Sequence, residues 1–419
     1  MGRGAATSEI SQSIRDVRVA LGMSQAGLAK AAGLTRQAIN SVEAGYYVPN
    51  TTVALRLAQA LRCRVEDLFS LPGGMEVRPV HIAGESPRTP GRVVVGRVRG
   101  RYVAHRLDAS RAFAEGFAAA DGLLDALRPF DKLRTEQAPS TGSGHRQDGV
   151  LREPQGPAPL TAAGKVRLGS AVRLLVPEER LETCALVLGC DPSLGILAAH
   201  VSRRRRESRV AWVQATSAEA LRALSSGEAH VAGSHLWDAG ADDYNIGPAR
   251  AALRATGGRL VCFASWEQGL AVAPGNPRGI RGVSDLARPG VTIINREPGA
   301  GARELLDRLL AEQGVPSSAV AGYDRAAGSH VAVARAVASG GADAGVAIRA
   351  VADAHGLGFV TLAEVRFDLA IPEDQLDHPA IEVVLDTMHG GAFRAELNSL
   401  PGYDTARTGE TVLQVAAKS

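Results

Sequence analysis

Ser24-Gln25-Ala26-Gly27-Leu28-Ala29-Lys30, followed by Gly33-Leu34-Thr35-Arg36-Gln37-Ala38-Ile39-Asn40-Ser41-Val42-Glu43-Ala44-Gly45, decides how the front of this chain folds. Two short helical patterns meet at a glycine turn. Ser24 and Thr35 each stand where a side-chain oxygen can accept from an otherwise unpaired backbone N–H and so start a helix. On the second helix Ala38, Ile39 and Val42 fall on one face and predict a buried stripe. Arg36, Gln37, Asn40 and Ser41 fall on the other, at i, i+1, i+4, i+5 spacing. Hydrogen-bonding side chains in such a stripe suit base edges and phosphates. The pattern is a helix-turn-helix, which makes double-stranded DNA the first partner to consider. The competing reading is a helical bundle whose polar face meets only water.

The flanks extend the pattern. Ile10, Ile14, Val17 and Leu21 recur at helical spacing and predict an earlier amphipathic helix ending at Gly22. After the recognition helix, Tyr46-Tyr47-Val48-Pro49-Asn50 reads as a turn, and Val53, Leu55, Ala58 and Leu61 mark a fourth helix. Val65-Glu66-Asp67-Leu68-Phe69 closes the bundle. Residues 8–72 therefore resemble the Cro and lambda-repressor type of helix-turn-helix domain, the xenobiotic-response-element family. The match runs through Arg18, Ser24-Gln25, Leu28-Ala29, Arg36-Gln37-Ala38-Ile39, Glu43 and Gly45-Tyr46-Tyr47-Val48-Pro49. The resemblance implies that Gln25 and Thr35 contact phosphate, that Arg36, Gln37 and Asn40 reach bases beside Ser41, and that Arg18 pairs with Glu43.

At 419 residues, with 45% apolar residues, the chain has room for two or three domains and a substantial core. The formal net charge is +3, and residues 1–72 hold eight Arg and Lys against five Asp and Glu, so the excess lies in the head. Positive charge thus coincides with the motif that would meet phosphate. Only four of the 47 basic residues are lysine, so a single arginine says little about function. Cys63, Cys184, Cys190 and Cys262 show no zinc-knuckle spacing and no disulfide framework. No charged-then-apolar leader opens the sequence and no apolar run approaches about 18 residues. The expectation is a cytoplasmic protein with no membrane partner.

Behind the head, Val77 to Ile82, Arg92 to Val98 and Tyr102 to Leu107 alternate apolar and polar residues, with Arg99-Gly100 as a hairpin turn; Val172 to Val176 adds a strand. Residues 75–180 are read as a small β-rich connector. Within it, residues 138–164 are dense in Pro, Gly, Ser, Thr and Gln and are expected to form a flexible loop. From Cys184 onward, strand and helix patterns alternate, which argues for parallel sheets covered by helices. Gln268 to Pro274 and Phe367 to Pro372 are expected to cross between two lobes.

Residues 181–410 resemble the periplasmic-binding-protein-like domain often fused to helix-turn-helix heads, and the domain behind some molybdopterin-biosynthesis proteins. Gly189-Cys190-Asp191-Pro192, Gly233-Ser234-His235-Leu236, Gly269 to Pro277, Asn295-Arg296, Gly299 to Arg303, Ser329 to Ala334 and Leu400-Pro401-Gly402-Tyr403-Asp404 carry the resemblance. The fold class is thus multidomain: an all-α helix-turn-helix head, a small β-rich connector and a two-lobed α/β periplasmic-binding-protein-like domain.

Several strands in this region run into glycine-rich or serine-bearing turns expected to open helices, where unpaired N–H groups and the helix dipole favour anions. Asp191 and Ser193, Ser234 and His235, Gly299, Ala300, Gly301 and Arg303, and Ser329 and His330 are the candidate ligand contacts. The serines have an alternative use as plain helix caps. The resemblance implies an oxyanion such as molybdate or tungstate. The usual Gly-Ser-Gly-Thr-Arg turn, however, reads Gly299-Ala300-Gly301-Ala302-Arg303, and Glu297 replaces a common glutamine. Each missing hydrogen bond to a charged ligand is worth roughly 1.5–3 kcal/mol.

Other signals carry less. Arg203 to Arg206 reads as a solvated helix end. His230 and His235 have no Cys or carboxylate at ligand spacing, so no metal is expected, and no cofactor either. Asp242-Asp243 reads as a surface turn, and Trp212, Trp237 and Trp266 as packing residues, with a cleft lining the alternative for Trp237 or Tyr323. No catalytic triad or phosphate loop emerges, so no enzyme is expected. The sequence predicts a one-component regulator that binds operator DNA as a homodimer and senses a small anionic or polar effector. The alternatives are an oxyanion carrier whose head mainly dimerises, and a molybdenum-cofactor-related protein.

Overall fold

The computed structural model describes residues 11–12, 14–70, 77–84, 91–107, 119–124 and 171–417. Ile10 and the loop expected at 138–164 lie outside the described residues. Two compact units emerge: one holds the described residues up to His81 together with Leu124 and residues 171–175, the other the described residues 82–84, 91–107, 119–123 and 176–417.

In the first unit five helices follow the sequence pattern: α1 (Ile14–Ala20), α2 (Gln25–Ala32), α3 (Arg36–Glu43), α4 (Thr51–Leu61) and α5 (Val65–Leu68). Ser24 Oγ accepts from Gly27 N at 3.0 Å, Thr35 Oγ1 from Ala38 N at 3.1 Å and Asn50 Oδ1 from Val53 N at 3.0 Å, so α2, α3 and α4 each begin on a side-chain cap. Gly33, at φ 64°, ends α2 in the left-handed conformation, which turns the chain into α3 without a Cβ penalty. Ile14, Leu28, Ala29, Ala32, Ile39, Val42, Leu57, Ala58, Leu61 and Leu68 make the core. Leu55, one of the apolar positions that marked α4, points to solvent, because the inward row is Ala54, Leu57, Ala58 and Leu61. A short antiparallel pair, Ser11–Gln12 with Phe69–Ser70, joins the two ends of the bundle, and Val77–Pro79 pairs with Ala171–Leu174.

The second unit contains the hairpin Gly91–Val98 and Arg101–Arg106, which turns on Arg99-Gly100. Val94, Val98, Val103 and Leu107 pack with Cys184, Leu186 and Leu188, so this hairpin shares a core with the α/β body. Asp121 ties the two together, accepting from Val95 N at 2.8 Å and from Arg209 Nη2 at 2.5 Å.

The α/β body has two lobes built on one sheet. In the first lobe Arg209–Gln214, Cys184–Gly189 and Val231–Ser234 run parallel. Cys184–Gly189 is buried throughout, as a strand covered on both faces requires. Two fifteen-residue strands, Gly258–Val272 and Gly358–Pro372, pair antiparallel along their length and pass through both lobes. In the second lobe Ala344–Ile348 pairs with Gln268–Val272, and Ile293–Arg296 lies parallel to it. The sheet is therefore mixed, where strand–helix alternation alone predicts a parallel one. Register shifts between Cys262 and Ala264 and between Gln268 and Gly269 mark the passage from lobe to lobe. The first crossing thus precedes the expected Gln268–Pro274 segment, and places Trp266 and Gln268 where the lobes meet.

Candidate nucleic-acid face and ligand cleft

In the head, Ile39 and Val42 are buried while Thr35, Arg36, Gln37 and Asn40 are exposed and Ser41 is half-buried. The polar stripe of α3 therefore faces outward on a rigid support. That support is ionic as well as apolar. Arg18 donates through Nε and Nη2 to the two carboxylate oxygens of Glu43, at 2.6 and 3.1 Å, and through Nη1 to Met23 O at 2.7 Å. Gln25 Nε2 donates to Glu43 Oε2 at 2.9 Å, so α1, α2 and α3 share one carboxylate. Burial alone pushes the Glu43 carboxyl up, but the hydrogen bonds from Arg18 and Gln25 and the Arg18 charge hold it below its ordinary range. In this arrangement Gln25, the expected phosphate contact, is half-buried and bonded inward, and the Thr35 hydroxyl oxygen already serves its cap.

In the second unit the candidate residues separate into three kinds. Asp191 is fully buried and already filled: it accepts from Ser193 N at 2.9 Å, Ser193 Oγ at 2.6 Å and Tyr403 OH at 2.6 Å. Burial raises its pKa against those bonds, and burial together with the Asp191 charge raises Tyr403 well above the usual phenol. Ser193 thus donates to Asp191 instead of capping Leu194–Arg204. Ser329, by contrast, is a plain cap, accepting from Ala332 N at 3.0 Å. No helix opens at Gly233-Ser234-His235, because the chain continues into the short pair Trp237–Asp238 and Asp243–Tyr244. The hydroxyl expected as a cap there is instead buried without a partner.

Gly299, Ala300 and Gly301 sit where the lobes touch. Ala218 N of the first lobe donates to Gly299 O at 3.2 Å. A Cβ on Gly301 would lie 2.5 Å from His235 O and 2.7 Å from its ring, so only glycine permits this approach. Arg303 turns away: its Nη1 donates to Arg296 O at 3.1 Å and its guanidinium lies 4.5 Å from the Tyr323 ring centre.

Arg296, rather than Arg303, brings its charge to the cleft. Its side chain is fully buried; Nε and Nη2 donate to Glu297 at 2.9 and 3.0 Å, while Nη1 has no partner. Glu297, which the sequence places as unwanted negative charge, therefore balances this arginine. The ring nitrogens of His235 and His330 are likewise buried and unpartnered, as are Ser234 Oγ, Trp266 Nε1 and both amide atoms of Gln268. Burial first, then the Arg296 charge, pushes His235 down to about 3 and lowers His330 in the same direction. Burial pushes the Cys190 thiol up to about 12, with the Arg296 charge pulling the other way. Buried polar atoms are normally satisfied, and these unpartnered ones belong to residues of both lobes. The cleft mouth is lined by Trp237, Tyr244 and Arg308, with the Arg308 guanidinium 5.0 Å from the Trp237 ring centre, a cation–π clasp between lobes.

Arg296, Trp266, Gln268 and Cys190 were not among the candidate contacts. Trp266 reads as core from its neighbours, and only the crossing-strand geometry places its N–H at the cleft.

Comparison with known proteins follows the same division. Residues 14–68 match the helix-turn-helix family and residues 198–389 the PBP superfamily domain. The Bacillus subtilis protein YvgK is 31% identical over 229 residues, 55% of this chain and 73% of YvgK. The chain belongs to the YvgK family. A Clostridium pasteurianum protein from the 5′ region of a 2Fe-2S ferredoxin gene is 32% identical over 112 residues, 26% of this chain and 99% of its own. An HTH-type transcriptional regulator of Methanothermobacter thermautotrophicus is 46% identical over 59 residues, 14% of this chain and 86% of its own. An N-terminal helix-turn-helix of the Cro type is thus fused to a PBP-superfamily domain. Among the described residues, no helix is long and apolar enough to cross a membrane.

Proposed function

We propose that this YvgK-family chain is a ligand-responsive one-component transcriptional regulator of the cytoplasm. Arg36, Gln37 and Asn40, with Ser41, read base edges of an operator, and Gln25 and Thr35 approach phosphate. The head works as a homodimer on a two-fold-related site, with half-sites about one helical turn apart. The C-terminal cleft takes a small polar or anionic ligand, molybdate or tungstate among the candidates.

One observation carries the ligand reading: the Arg296 Nη1, Trp266 Nε1, Gln268 Nε2 and Ser234 Oγ atoms are all buried and unpartnered in a domain made of two touching lobes. An anion with several acceptor oxygens satisfies that set, and Arg296 supplies the charge. The hydroxyls missing at Ala300 and Ala302 do not defeat this, because the donors come from other positions. Ligand binding alters operator affinity only so far as it favours one arrangement of the protein over another. Isothermal titration of molybdate, tungstate, phosphate and sulfate into the full chain tests the reading. Saturable binding lost in Arg296→Gln supports it, and binding unchanged by that substitution overturns it.

A further inference from the structure

Cys190, His235 and His330 are far apart in sequence, yet their ligand atoms all lie within 4.8 Å of one another and all three residues are buried. Cys190 is a free thiol directly after the strand Cys184–Gly189, and His235 directly follows Val231–Ser234, both in the first lobe. His330 opens the helix His330–Ala338 in the second lobe. No hydrogen bond engages either nitrogen of either ring, although all four nitrogens are buried. A histidine kept only for packing normally satisfies at least one of them. Two imidazoles and one sulfur, all uncommitted and convergent, are a ligand set for a borderline-soft d-block cation.

We propose that Cys190, His235 and His330 form a three-ligand site for a divalent transition metal, zinc foremost, that links the two lobes. Tetrahedral zinc at its usual bond lengths sets ligand atoms roughly 3.3–3.6 Å apart, so each pair approaches by at most about 1.5 Å. That is a rotamer adjustment with slight lobe closure. The nearby Arg296 charge is met by Glu297, which receives two of its hydrogen bonds, and by the Cys190 thiolate formed on binding. Three protein ligands leave a fourth position for water or an anion. The site goes beyond the anion reading and stands without it.

The test uses the full chain, stripped by a chelator and titrated with cobalt(II) as a spectroscopic stand-in and then with zinc(II). The expected result is one ion per chain, with a thiolate-to-cobalt charge-transfer band that zinc abolishes. Cys190→Ser should lose that band, and His330→Gln should weaken affinity by more than about tenfold. Cys262→Ser, which alters a buried thiol outside the cluster, should leave both unchanged. If Cys190→Ser fails to fold, His330→Gln, which keeps size and polarity, decides. No stoichiometric binding, or affinity unaltered by His330→Gln, overturns the metal site. Molybdate and phosphate titrated into the stripped chain distinguish the two claims: anion binding without metal binding removes the metal site alone, and metal binding without anion binding removes the anion reading alone.

Discussion

At the scale of residues, the head depends on two different uses of polar side chains. Arg36 and Gln37 are exposed on α3, so replacing either by Ala should leave stability nearly unchanged. The same change should cost roughly 1–3 kcal/mol of sequence-specific operator affinity, measured by salt-titrated binding. Glu43 is the opposite case, because Arg18 and Gln25 both depend on it. Its folded pKa lies below the unfolded value, so its stabilising contribution is complete above about pH 4.3, the ordinary value for Glu. The contribution is lost as pH falls through the lower folded value. Unfolding of the full chain measured against pH should show that loss in the wild type and a flatter acid limb in Glu43→Gln. The Arg18–Glu43 pair was legible in the sequence only through family resemblance, since nothing in local spacing joins residues 25 apart. The inward bond of Gln25 was not legible at all.

At the scale of elements, helix caps and faces were readable because they are local: Ser24, Thr35 and Ser329 needed only the three residues that follow them. Gly233-Ser234-His235 misled for the same reason, since a glycine–serine turn resembles a helix start until the following strand pair Trp237–Asp238 and Asp243–Tyr244 is seen. The orphaned atoms of Arg296 and Trp266 are not legible in sequence, because strand register, not composition, decides which atoms are left without partners. The close approach at Gly301 makes an element-scale prediction. Gly301→Ala puts a Cβ 2.5 Å from His235 O, and such overpacking costs about 1–3 kcal/mol. Urea unfolding should show that loss, and anion titration should show weaker binding, because the helix Gly301–Glu312 must back away from His235.

At the scale of the whole molecule, alternation of strand and helix announced a two-lobed α/β body, while the antiparallel crossing strands required the pairing of residues about a hundred apart. Those strands run through both lobes, and Arg308 lies over the Trp237 ring across the gap between them. Arg308→Ala should therefore weaken anion affinity with little effect on the operator affinity of the ligand-free chain, by paired titrations. A ligand present at about 100 times its dissociation constant should stabilise the domain by about 2.7 kcal/mol, read as a raised unfolding midpoint. Ligand-controlled operator binding is tested by footprinting of the full chain on its own upstream DNA, with and without a cleft ligand, beside Arg36→Ala. A discrete protected site with two-fold symmetry, shifted in affinity by the ligand and lost in Arg36→Ala, is expected. Protection that is absent, or identical in Arg36→Ala, would contradict it.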